Sequence, residues 1–230
     1  LDGPGRRPAW LTPAMELPPP DPCPVASEVR PWPGQGALLI EAAAASGVGY
    51  SDRLKTTPAG WPRRRHWCVW VQPVETDGPG AIWEQRWHRA VGAALRTWQE
   101  LLPIELVSDP LRAQVRVERR RPSLRNNRAS NGRALLQLQD VRRQQRWQRE
   151  PLVTVLISPG QAQTAIQATS LHELGHAFGL WGHSDQAGDA LAVKAGPIPV
   201  LELSPRDRAT LMWLQEQPGL TQAELPSNQP

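Results

Sequence analysis

The sequence predicts an α+β fold, and three observations carry the prediction. Short apolar runs of strand character cluster between residues 66 and 157. Two stretches with apolar residues at helical spacing, near 81–102 and 161–178, interrupt and then close that series. The 230 residues are 40% hydrophobic, enough for one packed core of medium size. The resulting order is strand, helix, several strands, helix.

The first segment is of a different kind. Residues 1–37 include Leu17-Pro18-Pro19-Pro20-Asp21-Pro22-Cys23-Pro24 and Pro31-Trp32-Pro33-Gly34, and proline disfavours both helix and central strand. Residues 1–60 are therefore expected to form a proline-rich, irregular or pro-segment-like extension ahead of a domain spanning 61–216, with 217–230 as a tail. Within the extension, Leu38-Leu39-Ile40 and Ala42 to Ala45 suggest a short helix, interrupted by Glu41 and too short to cross a bilayer. No membrane span is expected anywhere. The chain starts at Leu1 with no basic segment and apolar run, so a secretion signal is expected to be already removed or never present.

From Trp61 the pattern is regular. His66-Trp67-Cys68-Val69-Trp70-Val71 is an aromatic and β-branched run ended by Pro73, which predicts a strand. Residues 81–102 place Trp83, Trp87, Val91, Ala94, Trp98 and Leu101 on one helical stripe, with Arg89, Arg96 and Glu100 away from it and Pro103 as the stop. Ile104 to Val107, then Val115 and Val117 alternating with Arg116 and Glu118, then Leu136 and Leu138 alternating with Gln137 and Gln139, read as half-buried strands, and Leu152 to Ile157 closes the series. Ser158-Pro159-Gly160 ends it and opens a helix over about 161–178, with Ile166, Leu171, Leu174 and Phe178 toward the core. Near the end, Ser204 is a capping residue, Pro205 suits the first helical position and Asp207 follows in the first turn, so a C-terminal helix is expected up to about Pro218.

Residues 172–184, His-Glu-Leu-Gly-His-Ala-Phe-Gly-Leu-Trp-Gly-His-Ser, hold three of the five histidines. His172 and His176 are four residues apart, so both imidazoles leave one face of a helix and suit a single metal ion. Glu173 flanks the pair at the metal's open position, as a base rather than a ligand. Gly175 costs about 1 kcal/mol inside a helix, which implies a packing or metal-site reason for it. Gly179 is able to end the helix in the left-handed conformation, and Leu180 to Gly182 then form a short turn that brings His183 back toward the pair. The residues predict a Zn2+ site of His172, His176 and His183, with Asp185, Asp189 and Glu202 as the other candidates for the third ligand.

At these positions the chain resembles the metzincin zinc metalloproteases, most closely bacterial matrixin-like peptidases, whose motif is His-Glu-x-x-His-x-x-Gly-x-x-His followed by a methionine turn. Two departures stand out. The usual third ligand falls on Gly182, and His183 comes one residue later; no methionine occupies 189–193, where Leu191 takes its place, and Met212 lies too far along. The resemblance covers about residues 61–216. It implies a twisted mixed sheet packed on two long helices plus a C-terminal helix, and a zinc-dependent metalloendopeptidase, a hydrolase with Glu173 as general base. It further implies a peptide or protein substrate paired with a sheet-edge strand that lies before or among residues 134–157, the strand itself left open, and a secreted or extracytoplasmic location.

Two other readings compete. One is a catalytically inactive metzincin-like binding module, suggested by the missing methionine. The other is nucleic-acid binding, since residues 112–149 hold twelve arginines against Glu118 and Asp140, in a chain of net charge +4. Those arginines alternate with strand residues, and no nucleic-acid motif accompanies them, so the charge suits solvated strand faces. Cys23 and Cys68 form one disulfide in an oxidising compartment or two thiols in a reducing one. Matrixins also carry a zinc-binding propeptide cysteine, but Asp21-Pro22-Cys23-Pro24-Val25 does not match that switch. His66 and His88 read as surface residues, and Trp181, between two expected ligands, as a border of the cleft.

Overall fold

The computed structural model describes residues 21–34, 36–42, 47–125, 129–194 and 196–223. In chain order the strands are β1 (Glu28–Pro31), β2 (Ile40–Glu41), β3 (Lys55–Thr56), β4 (Trp67–Val71), β5 (Ile104–Leu106), β6 (Val115–Glu118), β7 (Gly132–Arg143) and β8 (Arg146–Ile157). The α-helices are α1 (Ala81–Gln99), α2 (Gln163–Ala177) and α3 (Pro205–Glu216). The fold is α+β with a mixed sheet of order β1-β7-β8-β6-β4-β5, accompanied by a two-stranded β2-β3 ribbon.

Strands β5, β4, β6 and β8 are mutually parallel, whereas β7 runs antiparallel to β8 and β1 antiparallel to β7. The reversal occurs at Gln144 and Gln145, both at positive φ (47° and 65°), the backbone that a two-residue hairpin demands to match strand twist. Burial alternates along β6, where Val115 and Val117 are fully buried.

Helices α1 and α2 pack on one another, and α2 packs on β7 and β8. Trp87, Val91, Ala94 and Trp98 are fully buried in α1. Two of these tryptophans also tie the layers together: Trp87 Nε1 donates to the Ile157 carbonyl (3.2 Å) and Trp98 Nε1 to that of Leu171 (3.1 Å). Trp83 departs from the expected stripe and is 56% exposed. It sits in the first helical turn, where its ring lies 4.5 Å from the Arg86 guanidinium instead of over the sheet.

The short helix expected over 38–45 is corrected. Ile40 and Glu41 pair with Thr56 and Lys55 as β2, and Glu41 meets the Lys55 ammonium at 2.8 Å; residues 43–46 lie outside the described residues. Described residues between Cys23 and Gly60 are joined to the same sheet and core as those from Trp61 onward. Cys23 and Cys68 form a disulfide (Cα–Cα 5.9 Å), β1 joins the sheet, and Tyr50, Leu54 and Trp61 enter the main core cluster. Proline excludes a strand from the sheet interior but not from its edge, and β1 ends on Pro31 at the edge. No described helix is long and apolar enough to cross a membrane.

Candidate metal centre

Helix α2 buries Ile166, Leu171 and Leu174 completely, which leaves His172 and Glu173 along the side that opens to a cleft, with His176 buried one turn further on. Gly175 has no room for a side chain: a Cβ there would meet Leu191 Cδ2 at 2.6 Å and Trp98 Cζ2 at 3.0 Å. Gly179, at φ 109°, ends the helix in a conformation that L side chains resist, and the chain turns through Leu180 and Trp181. Gly182 passes so close to the Arg53 carbonyl that a Cβ would overlap it, which makes the turn tight enough to return His183. The His183 ring centroid lies 5.2 Å from that of His172 and 4.8 Å from that of His176.

One ligand atom from each histidine lies within 4.8 Å of the others. His172 Nδ1 is 2.9 Å from the Ala190 carbonyl oxygen, and His176 Nδ1 is 2.7 Å from that of Leu180. A carbonyl oxygen only accepts, so each Nδ1 carries the proton and each Nε2 presents a lone pair. Those two Nε2 atoms face each other at 3.2 Å. Two facing lone pairs repel unless a cation lies between them, and tetrahedral zinc with Zn–N bonds of about 2.0–2.1 Å sets its nitrogens about 3.3 Å apart. The donor set therefore fits zinc. A proton is a poor substitute, because burial holds the His172 imidazole down to about 4 and the His176 imidazole well below the usual histidine range.

Glu173 lies on the same side, against the start of β7. Burial pushes its carboxyl up to about 7, opposed by a hydrogen bond from the Ala134 backbone N–H and by the positive charge of Arg133. Gly132 permits the approach: a Cβ at that position would meet Thr169 Cγ2 at 2.5 Å and Glu173 Cγ at 2.7 Å. The cleft beside the site has a volume of about 660 Å³, between residues 129–132 of β7 and its lead-in, Ala165, Ala168 and Thr169 of α2, and the 187–200 loop.

The other candidate ligands are not gathered here. Asp185 pairs with Arg53 (3.1 Å) and Arg206 (3.0 Å) at the surface, and Asp189 is bound by Ser184, Ser204 and Arg206. Glu202 is exposed. Leu191 is fully buried and packs against Gly175 beneath the histidines. Trp181 stacks on the His176 ring at 5.6 Å, largely buried. Cys23 is held in its disulfide, so no thiolate reaches the site; His66 lies beside that disulfide, with Nδ1 3.9 Å from Cys68 Sγ, and His88 is exposed on α1.

Sequence reasoning missed the group that fixes the site from behind. The buried Asp207 carboxylate accepts from Tyr50 Oη (2.6 Å), the Ala190 N–H (2.8 Å) and the Ser204 N–H (2.9 Å). Ala190 in turn offers its carbonyl to His172, so Asp207 anchors the residue whose carbonyl orients a ligand. Its visible signal is only the capping box at the start of α3, where Ser204 and Asp207 exchange bonds. Gly132 and Ala134 were equally silent, since one acts by lacking a side chain and the other through its backbone. No protein-family model and no curated protein matches the chain.

Proposed function

We propose that the chain is a zinc-dependent metalloendopeptidase of the metzincin type, hydrolysing peptide bonds in unfolded segments. The observation that carries the reading is the pair of Nε2 atoms 3.2 Å apart, each with its Nδ1 proton committed to a backbone carbonyl, with His183 alongside. The family reading is further supported by a mixed sheet packed on two helices, the second of which carries the histidines.

His172, His176 and His183 would hold the metal, all as neutral imidazoles. Bound zinc supplies two things: it brings the pKa of a water toward 7, and it polarises the carbonyl to be attacked. Glu173 takes the proton of the attacking water and passes it to the amide nitrogen as the C–N bond breaks, so that an acid and an amine leave. Burial raises the metal-free carboxyl, and the charge of a bound dication would draw it down again, leaving Glu173 ionised to take the proton. Gly132 leaves room for Glu173 against the start of β7, and the Asp207–Ala190 relay keeps His172 from turning.

The test combines metal analysis with cleavage of a generic unfolded protein, with and without chelator. One equivalent of zinc and chelator-sensitive cleavage are expected. Glu173→Gln should retain zinc and lose turnover by at least about a hundredfold, the scale of a general base. His176→Ala should lose the metal as well. Full activity of Glu173→Gln would remove the base assignment, and a metal-free protein that still cleaves would remove the proposal.

A further inference from the structure

We propose that β1 and the segment just after it form a built-in stop on the peptide-binding edge of β7, limiting strand pairing to about four substrate residues ahead of the scissile bond. This rests on the peptidase reading, but it follows from the chain's own ladder.

β1 covers only the far half of the β7 edge, Gln139 to Arg142, and among the described residues no strand pairs with 132–137 on that side. The Ser27 N–H donates to the Arg142 carbonyl (2.9 Å) and the Trp32 N–H to that of Leu138 (3.1 Å). Backbone groups alternate in direction along a strand, so those of Leu136, Ala134 and Gly132 open toward the same side as those of Leu138 and Arg142. Glu173 lies against Gly132, where a Cβ would meet its Cγ at 2.7 Å, which puts the reacting bond at this end of the free edge.

An extended peptide that continues the β1 ladder is antiparallel to β7 and runs in the direction of β1. Its leading residues then point at Leu138 and its trailing residues run past Gly132 into the large cleft. Between Ala134 and Leu138 the edge measures about 14 Å, room for about four residues at the antiparallel strand rise. At Leu138 the ladder is already taken by the Trp32 N–H, and among the described residues no strand after β1 continues along this edge. There the segment encloses a hollow of about 460 Å³, lined by Trp32, Gly34, Leu38, Leu136 and Leu138, which would receive the first residue of the peptide.

The stop is held from several sides. Trp32 lies over Gly34 and faces the Arg149 guanidinium at 5.8 Å, and Arg149 is fixed on Asp140 at 2.8 and 3.0 Å. Glu28 binds Arg142 (2.7 Å), and Arg30 lies 4.3 Å from the Trp147 ring. Upstream, the Cys23–Cys68 disulfide and Arg112, which bonds both Asp21 and the Cys23 carbonyl, clamp the segment to β4 and its neighbours.

The experiment uses peptides with one constant C-terminal half, labelled there with fluorescein, and one to eight alanines ahead of it. Binding is read by anisotropy on the zinc-loaded Glu173→Gln protein, and cleavage by mass spectrometry on the unmodified protein. Affinity should rise by up to about tenfold per added ladder hydrogen bond through the first three or four alanines and then change less than twofold. Trp32→Pro, which removes the N–H that occupies the Leu138 carbonyl and keeps β1 and the disulfide, should let affinity climb beyond the fourth. Affinity that keeps rising to eight alanines in the parent protein, or a limit unmoved by Trp32→Pro, would overturn the stop even if every peptide is cleaved. A length limit in binding without cleavage of any peptide would instead overturn the peptidase reading and uphold the stop. No binding at any length would overturn both.

Discussion

Asp207 shows how a residue far from the reacting bond controls it. Two of the partners of its side chain are backbone N–H groups that can only donate, so Asp207→Ala would leave the Ala190 and Ser204 N–H groups without their acceptor. We expect a loss of about 1–3 kcal/mol in stability, the usual cost of leaving a buried polar group unpaired, measured by chemical unfolding. Zinc affinity should fall by about 10–100-fold in a metal titration, because the Ala190 carbonyl no longer holds His172 in place. At the same scale, pH separates the histidines from the glutamate. In the metal-free protein, burial depresses the His172 pKa from about 6.5 unfolded to about 4 folded, so its contribution to stability is complete above 6.5 and is lost as pH falls toward 4. Glu173 has the opposite sign: raised to about 7, it stabilises most below its unfolded value near 4.5 and loses that as pH rises through 7. Metal-free Glu173→Gln should therefore show a steep loss of stability between pH 6.5 and 4, followed by thermal unfolding, whereas the parent protein shows a flatter profile with both limbs. A parent profile identical to that of the variant would contradict the burial of the Glu173 carboxyl.

At the scale of elements, the β7–β8 hairpin carries both the Glu173 contact and the open edge, and its turn is Gln144-Gln145. Both residues sit at positive φ, which glutamine tolerates at a cost and which asparagine and glycine favour. Gln144→Asn with Gln145→Gly should stabilise the protein by about 0.5–1 kcal/mol without changing turnover, as judged by melting temperature and peptide cleavage. This turn also explains what sequence reading could and could not see. Alternation disclosed Leu136 and Leu138 as strand residues, and the continuous run Leu152–Ile157 disclosed β8. Nothing in Gln-Gln announces a hairpin, so the reversal that makes β7 the antiparallel strand was invisible. The helix carrying His172, Glu173 and His176 was legible because its histidines repeat at helical spacing and Gly179 ends it. The spatial neighbours of that helix were not, because Gly132, Ala134 and Ala190 act through backbone groups, which carry no type-specific signal. The proline-rich opening misled in a similar way: composition argues against regular structure, yet an edge strand of four residues tolerates proline well.

At the scale of the whole molecule, charge and covalent linkage decide how the N-terminal segment relates to the rest. Half of the twelve arginines between 112 and 149 meet a carboxylate, namely Arg112, Arg119, Arg120, Arg142, Arg143 and Arg149, and Arg143 with Arg64 offsets the fully buried Glu150. Arg143 also bonds the Pro24 carbonyl, so the same network grips the chain just beyond Cys23. The disulfide adds a link across 45 residues of sequence, and closing a loop of that size removes unfolded-state entropy equivalent to about 4 kcal/mol. Cys23→Ser with Cys68→Ser should therefore lower stability by about 2–4 kcal/mol, measured by chemical unfolding, while the histidine cluster, built on α2 and the turn after it, keeps its zinc. Hydrogen exchange localises the effect. If the disulfide and Arg143 together pin β1, amides of residues 28–32 exchange faster in the double variant while those of α2 do not; equal acceleration in both would mean that the bond supports the core as a whole and that the edge strand has no separate anchor.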